Sequence, residues 1–183
     1  SNVINECVNQ VVRVKSTFPV YSGYGKTTDE TAGGAGVFYK VNREAGDAYV
    51  ITNYHVVYNA DSLTADKIAS KIELYLYGKE GTYSQASGNS KVEYSYAVTA
   101  EYIGGSLNYD IAVLKVTNSD VIKYSNATAV NFSTETEVKV GTTAIAIGNP
   151  GGGGIAASLG IVSKDSEYIT MTAADDKTSV TFR

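Results

Sequence analysis

The stretch Asp110-Ile111-Ala112-Val113-Leu114-Lys115-Val116 constrains the fold most, because after its opening aspartate it is apolar on both faces of an extended chain. Successive side chains of a strand point to opposite sides, so such a run belongs inside a barrel or sandwich, near its centre. Upstream, Gly33-Gly34-Ala35-Gly36 leads into the β-rich Val37-Phe38-Tyr39-Lys40-Val41, and Ala45-Gly46-Asp47 turns it into Ala48-Tyr49-Val50-Ile51-Thr52. Glycine punctuation between two such runs reads as a hairpin. Ile72 to Tyr77 alternates aliphatic residues with Glu and Tyr, Gly78 and Gly81 mark a turn, and Lys91 to Val98 alternates again. These predict two more strands with a Ser/Gly/Asn loop over Ser84 to Ser90.

Thr117 to Asn131 is polar and without a strong period, the best candidate for a connection between two halves. Strand chemistry restarts at Thr142 to Ile147, ahead of Gly148-Asn149-Pro150-Gly151-Gly152-Gly153-Gly154, and again at Ser158 to Ser163 and Tyr168 to Thr172. Only Leu63 to Ser70 offers a helical stretch. The reading is therefore all-β, with one unit over 1–118, a connection over 118–130 and a second unit over 129–183. A length of 183 residues, 43% hydrophobic and 19% charged, suits such a packed β protein and argues against disorder.

Composition narrows the chemistry. A formal net charge of -4 gives no basic field for a phosphate backbone, so no nucleic-acid partner is expected. Cys7 is the sole cysteine and His55 the sole histidine, which removes disulfide frameworks and Cys-based zinc sites. No metal or other cofactor is expected. The glycine run lacks the Lys-Ser/Thr ending and following helix of a phosphate cradle, and reads as a turn between strands. No apolar run approaches the roughly 18–20 residues of a membrane-spanning helix. The Tyr- and Ser-rich composition fits an exported protein, in the extracellular space or cell envelope, with any signal or anchor upstream of Ser1 removed.

Two residues stand out for chemistry. His55 lies where the strand ending at Thr52 leaves the sheet, an exit that can hold an imidazole over a cleft; taken alone, it equally reads as a residue filling a strand end. Asp110 opens the apolar strand, where a carboxylate needs hydrogen-bond donors; taken alone, it equally caps the Asn108-Tyr109 turn. Together they are the base and the orienting acid of a Ser-His-Asp triad, in that chain order.

Four segments, in order, resemble the trypsin-like protease family in its HtrA (DegP-like) branch: Gly34-Ala35-Gly36-Val37-Phe38, Ile51-Thr52-Asn53-Tyr54-His55-Val56-Val57, Tyr109 to Val116, and Ala146-Ile147-Gly148-Asn149-Pro150-Gly151. Ser158 to Ser163 is similar to the strand that follows. The resemblance covers roughly residues 10 to 170. It implies two antiparallel six-stranded β-barrels of the chymotrypsin type with the active site between them, the second barrel incomplete in this chain. It implies that His55 is the general base and acid, that Asp110 fixes its tautomer, that substrates are polypeptides and that the protein serves exported-protein quality control, with trimerisation frequent.

The family's nucleophile sits in a Gly-Asn-Ser-Gly-Gly segment, and no such segment occurs here. Ser158 lies in the strand before that loop and Ser179 in the terminal tail, so neither substitutes. The nucleophile is expected after Arg183, carried on a companion fragment with the rest of the second barrel, and these residues alone are expected to be aggregation-prone and inactive. The wide spacing between His55 and Asp110 implies an enlarged surface loop. Two readings compete with a working peptidase: a pseudoprotease kept as a binding module, and an exported β-rich adhesion protein in which His55 and Asp110 lie far apart.

Overall fold

The computed structural model describes residues 2–183. In chain order the elements are α1 (Asn2–Cys7), β1 (Val11–Gly23), β2 (Lys26–Asn42), β3 (Asp47–Thr52), α2 (Tyr54–Val57), β4 (Lys71–Leu76), β5 (Thr82–Ser87), β6 (Ser90–Ser95), β7 (Val98–Ser106), β8 (Ile111–Val116), α3 (Asp120–Lys123), β9 (Thr143–Gly148), β10 (Ala156–Ile161), β11 (Ile169–Thr172) and β12 (Ser179–Phe182). The protein is all-β. Six strands close an antiparallel barrel in the order β1-β2-β3-β8-β7-β4, with β4 returning to β1.

The barrel interior follows from period-two patterning. Along β1, Val12, Val14, Ser16, Phe18 and Val20 are buried while the residues that alternate with them are partly exposed. Val50 on β3, Leu74 on β4, Val98 on β7 and Leu114 on β8 complete the core, with Phe38 from β2. The apolar strand of the sequence is β8, central between β3 and β7 as expected, but only its Ala112, Leu114 and Val116 face is buried and Ile111 is exposed. Leu114 is fully enclosed, so Leu114→Ala removes its buried methyl groups and leaves a cavity. The expected cost is about 2–5 kcal/mol, read as a lowered midpoint in urea unfolding.

Gly36 shows why β2 carries small residues where it crosses this core. A Cβ built there lies 2.7 Å from Val50 Cγ1 and 3.1 Å from the Ile51 carbonyl oxygen. Tyr39 falls at an irregularity in the β2–β3 register, which bends the strand toward the closed barrel.

The other strands form separate two-stranded ribbons: β5 with β6, β9 with β10, and β11 with β12. Over 129–183, where a second barrel is expected, β9 to β12 form two separate ribbons and no closed barrel. Leu159, Ile161 and Ile169 on these ribbons are more than half exposed, whereas Ala173 is buried. The β5–β6 ribbon is the enlarged loop between His55 and Asp110, and it pairs only with itself.

Two local expectations are corrected. Ser84 to Ser90 is not a loop: Thr82–Ser87 is a strand, and Gly88, at φ 60, turns it into Ser90–Ser95. Tyr83 stacks on its cross-strand partner Tyr94 with ring centres 5.4 Å apart, an interaction that outweighs the polar composition. Leu63 to Ser70 is not a helix. There the Thr64 and Ile68 N–H groups donate to the Ser62 hydroxyl and the Asp66 carboxylate, and Lys67 has φ 63. Short polar side chains have captured the amides that a helix needs for its own carbonyls.

Candidate active site

His55 is presented by α2, a single helical turn directly after β3. Val56 and Val57 on that turn are buried and anchor it in the barrel, which leaves the intervening geometry to aim His55 outward. The strand end is fixed as well: the Thr52 hydroxyl donates to the Ala35 carbonyl at 2.8 Å. Gly34 on β2 makes room for α2, because a Cβ there would stand 2.5 Å from Val56 Cγ2. Gly34→Ala therefore pushes the turn that carries His55 away from the barrel. Overpacking of this kind costs about 1–3 kcal/mol, seen in thermal unfolding. The same shift is expected to lower turnover by about a hundredfold, since displacement of a catalytic group by ~1 Å has effects of that order.

On the other side, Asp110 ends the turn from Leu107 and leads into β8, with φ 51. That left-handed backbone is one that Asp and Asn tolerate better than most residues. His55 Nδ1 lies 2.7 Å from Asp110 Oδ2, and the His55 backbone N–H donates to Oδ1 at 2.9 Å. A carboxylate only accepts, so the neutral imidazole carries its proton on Nδ1 and turns the Nε2 lone pair away from Asp110. The Asp110 side chain is 21% exposed and the His55 side chain 59%, so the acid is sheltered and the base faces solvent.

Asn53 also reaches this carboxylate, donating from Nδ2 to Oδ2 at 3.2 Å and to the Asp110 carbonyl at 3.1 Å. Behind α2, Tyr54 stacks on Tyr58 at 5.3 Å and meets Tyr102 edge-on at 6.5 Å. Burial pushes the Tyr54 hydroxyl pKa up, helped by Tyr102, Tyr58 and Asp66, and burial does the same to Tyr102. These phenols stay neutral and wedge α2 against β7 without adding charge beside His55.

His55, Asp110 and Tyr58 open onto a cleft of about 340 Å³ whose far wall is β11, β12 and the turn between them, including Met171, Asp176 and Phe182. That turn is held by Asp175, whose pKa is lowered to about 2 by bonds from the Thr178 hydroxyl, the Thr178 N–H and the Lys177 N–H. Neither Ser158 nor Ser179 lines the cleft. Among the described residues no cluster of metal-ligating side chains occurs.

The glycine run forms one tight turn over Pro150–Gly152 and is followed by a strand, with no helix to hold a phosphate. Asn149 fastens this turn to the first barrel: its Nδ2 donates to the Gly34 carbonyl at 3.0 Å, and its Oδ1 accepts from the Gly154 N–H at 2.8 Å. The sequence singled out neither Asn53 nor Asn149, although both stand inside the segments that carry the resemblance.

Residues 34–183 match the family model described as a trypsin-like peptidase domain. The chain belongs to that family. Within it, the serine protease Do-like HtrA of Bacillus subtilis (strain 168) is 32% identical over 167 residues, which are 90% of this chain and 30% of that protein. The protein of the same description from Lactococcus lactis subsp. lactis (strain IL1403) is 31% identical over 172 residues, covering 90% of this chain and 34% of that one. The chain spans about a third of the length of these curated relatives. The crystal structure of the active form of an M. tuberculosis protease superimposes with a TM-score of 0.57 at 18% identity, over 98% of this chain and 59% of that one. At that identity the likeness concerns the fold, and it agrees with the closed six-stranded barrel. No described helix is long and apolar enough to cross a membrane.

Proposed function

We propose that the protein is a serine endopeptidase that hydrolyses peptide bonds through a Ser-His-Asp triad, with His55 as general base and acid and Asp110 as its orienting partner. The observation that carries this reading is the 2.7 Å contact between His55 Nδ1 and Asp110 Oδ2 at the mouth of an open cleft. With the Nδ1 proton held by Asp110, Nε2 takes the proton of the serine hydroxyl as its oxygen attacks the carbonyl carbon. The imidazolium then gives that proton to the leaving amine, and the carboxylate stabilises the positive ring between the two transfers. A second cycle with water in place of serine releases the acyl group.

The nucleophile and the N–H groups that hold the carbonyl oxygen come from polypeptide outside these 183 residues. Support for this comes from the absence of Ser158 and Ser179 from the cleft and from the greater length of the HtrA relatives. Such polypeptide also covers the exposed apolar faces of β10 and β11. Substrates are polypeptides, and the protein acts outside the cytoplasm, at the cell envelope or beyond, on damaged or misfolded chains. The whole protein is expected to cleave an unstructured polypeptide such as reduced, alkylated casein, and to stop when treated with a fluorophosphonate. A folded whole protein that leaves such a chain intact at long incubation contradicts peptidase activity and points to a binding role.

A further inference from the structure

We propose that Asn53 is a positioning residue for the reaction, clamping Asp110 so that its carboxylate faces His55. This rests on the proteolytic reading above. One nitrogen of Asn53 spans the main chain and the side chain of the same aspartate, at 3.1 Å to the Asp110 carbonyl and 3.2 Å to Oδ2. Both acceptors lack hydrogens, which fixes the orientation of the amide. By holding carbonyl and carboxylate together, Asn53 couples the left-handed backbone of Asp110 to the direction of its side chain. The remaining oxygen, Oδ1, is taken by the His55 N–H at 2.9 Å. Asp110 is thereby gripped from two residues of a single segment, and the imidazole that it serves lies on that same segment.

What Asn53 does not do strengthens the assignment. It occupies the N-cap of α2, where asparagine is favoured because its side chain accepts a hydrogen bond from the first helical amides. Here its side chain makes no such bond. Asn53 is also exposed, so it fills no part of the core. Its side chain serves neither helix capping nor packing, and both of its hydrogen bonds go to Asp110.

The test compares the whole wild-type protein with Asn53→Ala, which removes the donors, and with the isosteric Asn53→Asp, which turns an acceptor toward the carboxylate. Asn53→Ala is expected to lower kcat about tenfold with KM unchanged, as for a lost charge-assisted hydrogen bond. Asn53→Asp is expected to lower it about a hundredfold, through like-charge repulsion at the same site. In both variants the low-field proton resonance of His55 Nδ1 moves upfield or broadens, a change that loss of a merely structural contact would not produce. Wild-type kcat and an unmoved resonance in both variants overturn the clamp. So does a loss of activity matched by a loss of folded protein in circular dichroism. If the wild-type protein cleaves nothing, the proteolytic reading fails while the resonance still decides the clamp.

Discussion

Alanine in place of His55 lowers the kcat of the whole protein by about 10⁶, the scale seen when subtilisin loses its triad histidine. The physical reason is specific to this geometry. Nε2 is the imidazole nitrogen left to accept a proton, because Nδ1 is committed to Asp110 at 2.7 Å. Without it, the serine proton has no acceptor as the nucleophile attacks, and the leaving amine departs without a donor. KM should change little, since the imidazole acts on the reacting atoms and contributes little to binding. The fold should also persist: the His55 side chain is 59% exposed, while Val56 and Val57 do the anchoring. Steady-state kinetics with a thermal melt check both parts. A His55→Ala protein with turnover within tenfold of wild type would remove His55 from the mechanism.

Replacing Asp110 by asparagine is the second large effect, about 10⁴ in kcat on the scale of the corresponding change in trypsin. Asparagine tolerates the left-handed backbone at φ 51, so the backbone is conserved and the loss reports on chemistry. The amide is uncharged and no longer stabilises the imidazolium. It also carries an NH₂ group, and if that group faces Nδ1 the ring must place its proton on Nε2, which blocks the base. The amide orientation is contested, because the His55 N–H donates to Oδ1 and Asn53 Nδ2 donates to Oδ2, so an NH₂ group at either position faces a donor. Stopped-flow measurement of single turnovers should show the loss in the chemical step with substrate binding retained. An Asp110→Asn variant as fast as wild type would mean that His55 is oriented by other groups.

The first barrel was legible in the sequence where burial alone dictates pattern. The apolar run of β8 marked a central strand, and Gly46 marked the β2–β3 hairpin, whereas Gly33, Gly34 and Gly36, read as punctuation, lie inside β2. The His55–Asp110 pairing was legible from the order of the two residues and from the resemblance; the structure adds the reason, since β3 and β8, whose ends carry them, are neighbours in the barrel. β1 was missed although it alternates cleanly, and Pro19 lies inside it, where a lost N–H is unusual for a strand. The Leu63 to Ser70 segment misled because its composition allows a helix, and only the placement of Ser62 and Asp66 shows which amides their side chains capture. Asn53 was hidden by its own suitability as a helix cap. Its real partner lies 57 positions along the chain, and only the folded barrel brings the two together.

His55 and Asp110 are expected to serve a nucleophilic serine carried on polypeptide outside residues 1–183. Labelling the whole protein with a fluorophosphonate and mapping the modified peptide by mass spectrometry tests it most directly. One labelled serine is expected outside these residues, flanked by glycines in a Gly-Asn-Ser-Gly-Gly segment or a close variant, with labelling abolished by His55→Ala. A label on Ser158, Ser179 or another serine of the 183, or labelling that survives His55→Ala, contradicts it.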